Sequence, residues 1–343
     1  MARVDDDQRG GAPEGVVVKD AQGNPVRVTR PDPHNHVRNV FALSDGTFLL
    51  LTEHTPDSSQ KACRCLIHLS TRGDSLGCRY FCSPTRNLAF AMDQTDKGEL
   101  LAFGNDGPGE MDASKVFVLR MNSVGDTLAL YHLQRDCHSW PNAIHSMPDG
   151  GYLLSGPSGT SGVLRLDSTG KTLWSACSSG RRDASITGAI PTKDGGVLTV
   201  GHRGDMRPRS LRPADKDSAK AGNGAGALLV KYDATGDTSW QYVRSATEGS
   251  DARYAVELDN HELLVAGQQG DVMLNRQPYL MLLSAKGDSL WGAPFGSGTV
   301  HSLIVTPQGE CLLMTSFRPK DKHEANVTTT VTRFAVPQQK KRP

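Results

Sequence analysis

Two short patterns alternate along the chain. The first is a turn that opens into an apolar run. It occurs as SDGTFLLLT (44–52), DKGELLAFG (96–104), PDGGYLLSG (148–156), KDGGVLTVG (193–201), DNHELLVAG (259–267) and PQGECLLMT (307–315). The second is a strand, a turn and a strand. It occurs as VVVKDAQGNPVRV (16–28), CLIHLSTRGDSLG (65–77), VFVLRMNSVGDTLAL (116–130), GVLRLDSTGKTLW (162–174), LLVKYDATGDTSW (228–240) and LMLLSAKGDSLW (280–291). Short apolar or alternating runs bounded by Gly, Asp, Asn and Ser read as strands. Gly23, Gly73, Gly125, Gly170, Gly236 and Gly287 mark the second turn, at spacings of 50, 52, 45, 66 and 51. Each is expected at positive φ in a hairpin turn, with the neighbouring Asp, Asn or Ser completing it. No stretch longer than about ten residues holds a helical period with caps, so almost no helix is expected.

Each unit then reads as four strands: A, a moderately apolar run; B, the LLxxG run; C, the alternating VLRLD type; and D, which begins at the turn glycine. One such sheet buries neither face alone. Packing units radially covers both faces, and closing the ring removes the end faces. The architecture expected is therefore an all-β, six-bladed β-propeller closed by N- and C-terminal strands, with seven blades as the alternative. The chain starts with a C–D hairpin and ends after an A–B hairpin, so one blade is expected to draw on both termini. VTTTVTRFAV (327–336) reads as a further strand C. It leaves strand D alone, or a fifth strand, to the N-terminus. The domain runs over 14–336, between polar tails at 1–13 and 337–343. The 66-residue spacing reflects an insertion at 203–226, expected to be a long B–C loop.

The D-G-G-x-L-L-x-G…L-x-K-x-D-x-x-G-D-T-x-W pattern resembles the repeats of bacterial secreted and surface β-propellers of Bacteroidetes-like lineages. That resemblance implies a binding, adhesion or scaffold module, a carbohydrate binder, or a lyase or hydrolase. It also implies an extracellular or periplasmic location. MARVDDDQRGG lacks the apolar segment of a signal peptide.

Composition adds exclusions. The chain has 343 residues, 38 basic and 37 acidic side chains, and a net charge of +1. That balance argues against a nucleic-acid partner. No apolar run is long enough to span a membrane. There is no G-x-S-x-G elbow, P-loop, H-E-x-x-H or EF-hand loop, and no cofactor is expected.

In a propeller, the D–A and B–C loops share the face around the central channel. Here they gather His34, His36, Arg38, Glu53, His54, Arg86, Asn87, His138 and Trp140. They also gather Asn142, Arg181, Arg182, Asp183, His202, Asp251, Arg253 and His301. Counting back from the A–B turns puts Arg38, Asn142, Arg253 and His301 at the channel mouth, with Phe90 and Gly188 in the other two places. Arg forks match carboxylates, imidazole shuttles protons, and Trp140 suits stacking on a ring. The expected ligand-binding residues are Arg38, His54, Trp140, Asn142, Arg182, His202 and Arg253. His36, His138 and His301 are the candidates should the site be catalytic. His34 and His36 form a lone H-x-H beside His54, a weak ligand set, and no metal is expected. Trp174, Trp240 and Trp291 recur at one repeat position and are expected to pack between blades.

Seven cysteines leave at least one thiol outside any pairing. Across the first C–D hairpin, Cys65 could face Cys78, or Cys63 could face Cys82. The function expected is recognition of a protein or glycan ligand, by a monomer or as part of a surface assembly. The alternative is a polysaccharide lyase or hydrolase.

Overall fold

A computed structural model describes residues 2–3, 16–19, 25–28, 35–43, 45–54, 63–82, 87–95, 97–106, 115–123, 125–133, 142–156, 162–177, 184–204, 226–244, 249–270, 276–306, 309–317 and 328–335. All regular structure among them is strand. No helix is long and apolar enough to cross a membrane among the described residues.

The chain begins with β1 (Ala2–Arg3), β2 (Val16–Lys19) and β3 (Pro25–Val28). Blade one is β4 (Asn35–Ala42), β5 (Phe48–His54), β6 (Cys63–Leu69) and β7 (Ser75–Cys82). Blade two is β8 (Asn87–Gln94), β9 (Leu100–Asp106), β10 (Lys115–Met121) and β11 (Thr127–Leu133). Blade three is β12 (Ala143–Ser146), β13 (Tyr152–Gly156), β14 (Gly162–Leu166) and β15 (Thr172–Cys177). Blade four is β16 (Ala184–Pro191), β17 (Val197–Arg203), β18 (Gly226–Tyr232) and β19 (Thr238–Arg244). Blade five is β20 (Ser250–Glu257), β21 (Leu263–Gln269), β22 (Gln277–Leu283) and β23 (Ser289–Pro294). Blade six is β24 (Thr299–Val305), β25 (Glu310–Phe317) and β26 (Thr328–Ala335). Neighbours in each blade pair in order, all antiparallel, giving a six-bladed β-propeller.

The termini differ from expectation in one respect. The N-terminal hairpin forms, but β2 pairs with β1 and β3 in a sheet of their own, while blade six is β24–β25–β26. The 203–226 insertion joins β17 to β18, and 205–225 lie outside the described residues, as do nearly all of both tails.

The chain packs as two compact units. One is Met1–Arg135 with Ala143–Ser146, and the other is Asp136–Asn142 with Met147–Pro343. In the first, Leu49 and Leu51 of β5 pack with Leu66, Met92, Leu100, Ala102 and Met121. In the second, the reason strand B reads as an unbroken apolar run is visible in β21. Leu263 and Val265 enter the core shared with blade four, while Leu264 and Ala266 enter the core shared with blade six. A strand sandwiched between two sheets buries both faces, so its alternation disappears.

Turn chemistry follows the sequence. Gly73, Gly125, Gly170, Gly236 and Gly287 all have φ between 83° and 93°. In the second unit the blades also meet at these turns. A Cβ on Gly236 would lie 2.7 Å from Trp174 Cγ, and one on Gly287 2.7 Å from Trp240 Cδ2. Trp174 Nε1 donates to Ala234 O at 3.1 Å, and Trp240 Nε1 to Ala285 O at 3.0 Å. These two indoles pack each outer strand onto the next blade's turn, as expected.

A second staple was not anticipated. One strand-C position, five residues before the turn glycine, reaches back to the A–B turn. Lys231, its side chain 6% exposed, donates to both oxygens of Asp194 at 3.0 and 2.8 Å and to Tyr232 O at 3.0 Å. Arg165 joins Asp149 and Leu166 O in the same way. In the first unit Arg120 makes a fork on Glu99 at 3.0 and 2.9 Å. The desolvated cations need these carboxylates.

The C–D hairpin of blade one places Cys63 opposite Cys82, Cys65 opposite Tyr80 and Cys78 opposite Ile67. Cys65 and Cys78 are thiols, so a bridge between them is ruled out. Strand register sets them opposite other residues. Cys177 is disulfide-bonded, a bond the cysteine spacing did not reveal.

Candidate functional site

Strand A carries a β-bulge at one repeated place. The residue left out of register is Arg38 in β4, Phe90 in β8, Thr187 in β16, Arg253 in β20 and His301 in β24. A bulge re-aims one side chain and displaces the strand backbone locally. The displaced backbone explains the closing glycine of the LLxxG run. A Cβ on Gly201 would lie 1.8 Å from Ser185 O, and one on Gly267 2.2 Å from Asp251 O. Thr187, not Gly188, therefore holds the fourth blade's place. Gly188 is the next residue, back in register with Val200.

The bulge residues divide into two kinds within the second unit. Asn142, eight residues before Gly150 as Arg253 is before His261, donates through Nδ2 to Thr187 O. Thr187 Oγ1 donates to Ala252 O at 2.7 Å. Each polar side chain satisfies a backbone carbonyl of the next blade. Asn142, expected as a ligand residue, is thus engaged as a blade-to-blade clamp.

Arg253 and His301 differ. Arg253 Nε donates to Asp251 Oδ2 at 3.0 Å. His301 keeps an exposed edge, yet partial desolvation, then the Arg253 charge, hold its imidazole below the ordinary value of 6.5. Asp251 stands opposite Gln268 in the β20–β21 register and is 3% exposed; Gln268 is 1% exposed. Arg276 Nη1 donates to Gln268 Oε1 at 2.7 Å and lies 3.7 Å from Asp251 Oδ2. Tyr279, fully buried, donates to Asp251 O at 3.0 Å, and the Arg244 guanidinium covers its ring at 4.1 Å. Two buried atoms of this cluster, Asp251 Oδ1 and Gln268 Nε2, have no hydrogen-bond partner among the described residues. Such atoms in a native interior call for an explanation.

Other expected site residues fall as follows. His202 is half-buried in β17, opposite Ser185, at the place Gln268 holds in blade five. His36 lies opposite Glu53, and Asn35 opposite His54, in the β4–β5 register. Arg38 takes that strand's bulge, and nothing beyond backbone placement is described for these residues. His34, His138, Trp140 and Arg182 lie outside the described residues. Among the described residues no group of three or more His, Cys, Asp or Glu is placed to hold a metal ion. Sequence counting reached Arg253, His301 and Asp251. Arg276 carried no repeat signal, because it precedes β22 and lies outside both repeated motifs.

The fold and this rim define the class: a six-bladed β-propeller with a polar cluster at the inner strands of blades five and six. No family model and no curated protein matches the sequence. Similar solved structures are bacterial β-propeller proteins. A virginiamycin B lyase from Staphylococcus aureus is 13% identical, covers 93% of this chain and 88% of its own, and superposes with a TM-score of 0.56. A streptogramin B lyase is 13% identical over 94% of this chain and 87% of its own, with a TM-score of 0.54. A protein of unknown function from Bacteroides caccae is 14% identical over 83% of this chain and 92% of its own, with a TM-score of 0.49. At these identities the likeness to the lyases is one of fold.

Proposed function

We propose that this propeller is a non-enzymatic binding module that holds a glycan or protein ligand rich in hydroxyls and carboxylates at its D–A and B–C loop face. The carrying observation is the blade-five cluster, where Asp251 Oδ1 and Gln268 Nε2 are buried beside Arg253 without partners among the described residues. Binding such a group in place of water orients a ligand through few contacts. The test is a glycan and peptide array probed with the folded chain, followed by calorimetry on each hit. Retention of no ligand by well-folded protein overturns the reading.

A location outside the cytoplasm belongs to the same proposal. Its support is the Cys177 disulfide, since such bonds persist in oxidising compartments. Differential alkylation and mass spectrometry of the native protein would detect seven thiols if this is wrong.

One observation favours the alternative, a lyase acting on an acidic polysaccharide. A neutral His301 beside the Arg253 cation is suited to remove a proton that a neutralised carboxylate has acidified. That reading requires turnover of an acidic polymer, seen as ultraviolet absorbance of an unsaturated product and abolished by His301→Ala.

A further inference from the structure

Resting on the binding-module reading, we propose that the inner end of blade five is a subsite for a uronate unit, a sugar ring bearing a carboxylate beside free hydroxyls. The geometry specifies this chemistry by what its residues leave unused. Asp251 spends Oδ2 on Arg253 Nε at 3.0 Å, and Gln268 spends Oε1 on Arg276 Nη1 at 2.7 Å. What remains is one acceptor, Asp251 Oδ1, and one donor, Gln268 Nε2, on residues directly opposite each other in the sheet. A hydroxyl is the small group that donates to a carboxylate and accepts from an amide through the same oxygen.

The second half is the Arg253 fork. Only its Nε is engaged among the described residues, and the side chain is 29% exposed, so both Nη groups can receive a carboxylate in the planar geometry that guanidinium favours. Asp251 holds that fork at Nε and itself lies 3.7 Å from Arg276 Nη1. An amine would face Arg253 and Arg276, and a phosphate would bring like charge against Asp251 Oδ1. A neutral sugar uses the hydroxyl half alone, and an acidic peptide the fork alone. The uronate uses both.

The experiment titrates the full chain with three probes: a trigalacturonate, the matching neutral trigalactose, and a triglutamate. Calorimetry or ligand-observed NMR reads the affinity. The expected result is trigalacturonate bound at least about tenfold more tightly than either control, the scale of one charge-assisted hydrogen bond. Arg253→Gln should remove that preference, bringing trigalacturonate down to no more than the affinity of trigalactose. Gln268→Glu keeps the shape but replaces the donor with an acceptor, and should weaken both sugars; an unchanged near-ultraviolet dichroism spectrum shows the variant folded. Equal affinity for all three probes, a preference for triglutamate, or no uronate binding by folded protein overturns the subsite. A neutral glycan or peptide captured on the array while trigalacturonate fails removes the subsite and keeps the binding module. Failure of every ligand removes both.

Discussion

Replacing Gly236 by alanine isolates what blade-to-blade contact adds to turn conformation. Gly236 has φ +93, and a Cβ there would stand 2.7 Å from Trp174 Cγ and 2.8 Å from Cδ2. The conformational part costs about 1 kcal/mol for an L side chain in the left-handed region. The steric part forces the indole away, loosening the Nε1 bond to Ala234 O at 3.1 Å and the ring's contact with Tyr232 at 5.7 Å. Those add roughly 1–2 kcal/mol. Gly195→Ala is the control. It has φ +82, but the nearest neighbour of a new Cβ is Ala234 Cβ at 3.9 Å, so only the conformational cost applies. Urea unfolding followed by tryptophan fluorescence should show Gly236→Ala losing about 2–3 kcal/mol and Gly195→Ala about 1. Equal losses at the two sites would refute the indole's role as a blade contact.

Further outcomes follow from other contacts. His261 is the one non-glycine at positive φ among the described residues, at 63°, and its Nδ1 lies 2.9 Å from Glu257 Oε1. His261→Gly should raise the unfolding free energy by under about 1 kcal/mol, with a higher urea midpoint, because relief of the left-handed strain outweighs one contact of a Glu257 that keeps the Lys193 N–H. At Asp194, partial desolvation opposes ionisation, but hydrogen bonds from Lys231, Thr192 and Gly196 and the Lys231 charge outweigh it, pulling the carboxyl from 3.8 to about 2. A depressed carboxyl stabilises the fold above its unfolded value, so this contribution is present above about pH 4 and lost as pH falls toward 2. Asp194→Asn should lower stability at neutral pH by roughly 1–3 kcal/mol, since the Lys231 amine stays buried, and should flatten the acid-unfolding profile over that window. His301 should titrate below 6.5 by NMR, and Arg253→Gln should move it upward by the smaller, electrostatic part of the shift.

Much of the blade architecture is legible in local chemistry. The described turn glycines fall at positive φ, and the LLxxG runs are strands, buried on both faces in β13, β17 and β21. The site was legible only where a counting rule reached it. Eight residues back from the positive-φ residue of each A–B turn, Gly150, Gly195, His261 or Gly309, identifies Asn142, Thr187, Arg253 and His301, whereas Gly188 lies eight before Gly196, which is not at positive φ. Nothing in the spacing separates Asn142, tied to Thr187 O, from Arg253, which pairs with Asp251 through Nε. Cys65 and Cys78 show the same limit: adjacent strands, yet neither lies opposite the other.

The sequence by itself determined the turns, the strand periodicity and the number of repeats, since each depends on residues within a few positions of one another. Tertiary structure decided which polar side chains are consumed in joining blades and which retain hydrogen-bonding capacity. It placed Arg276 on Gln268 and left Asp251 Oδ1 and Gln268 Nε2 buried without partners among the described residues. It also set Trp174 against Gly236. The physical reason is that these partners are joined by sheet register and blade packing. Their chemistry is settled only when strands distant in the chain bring one group within hydrogen-bond reach of another and exclude water from both.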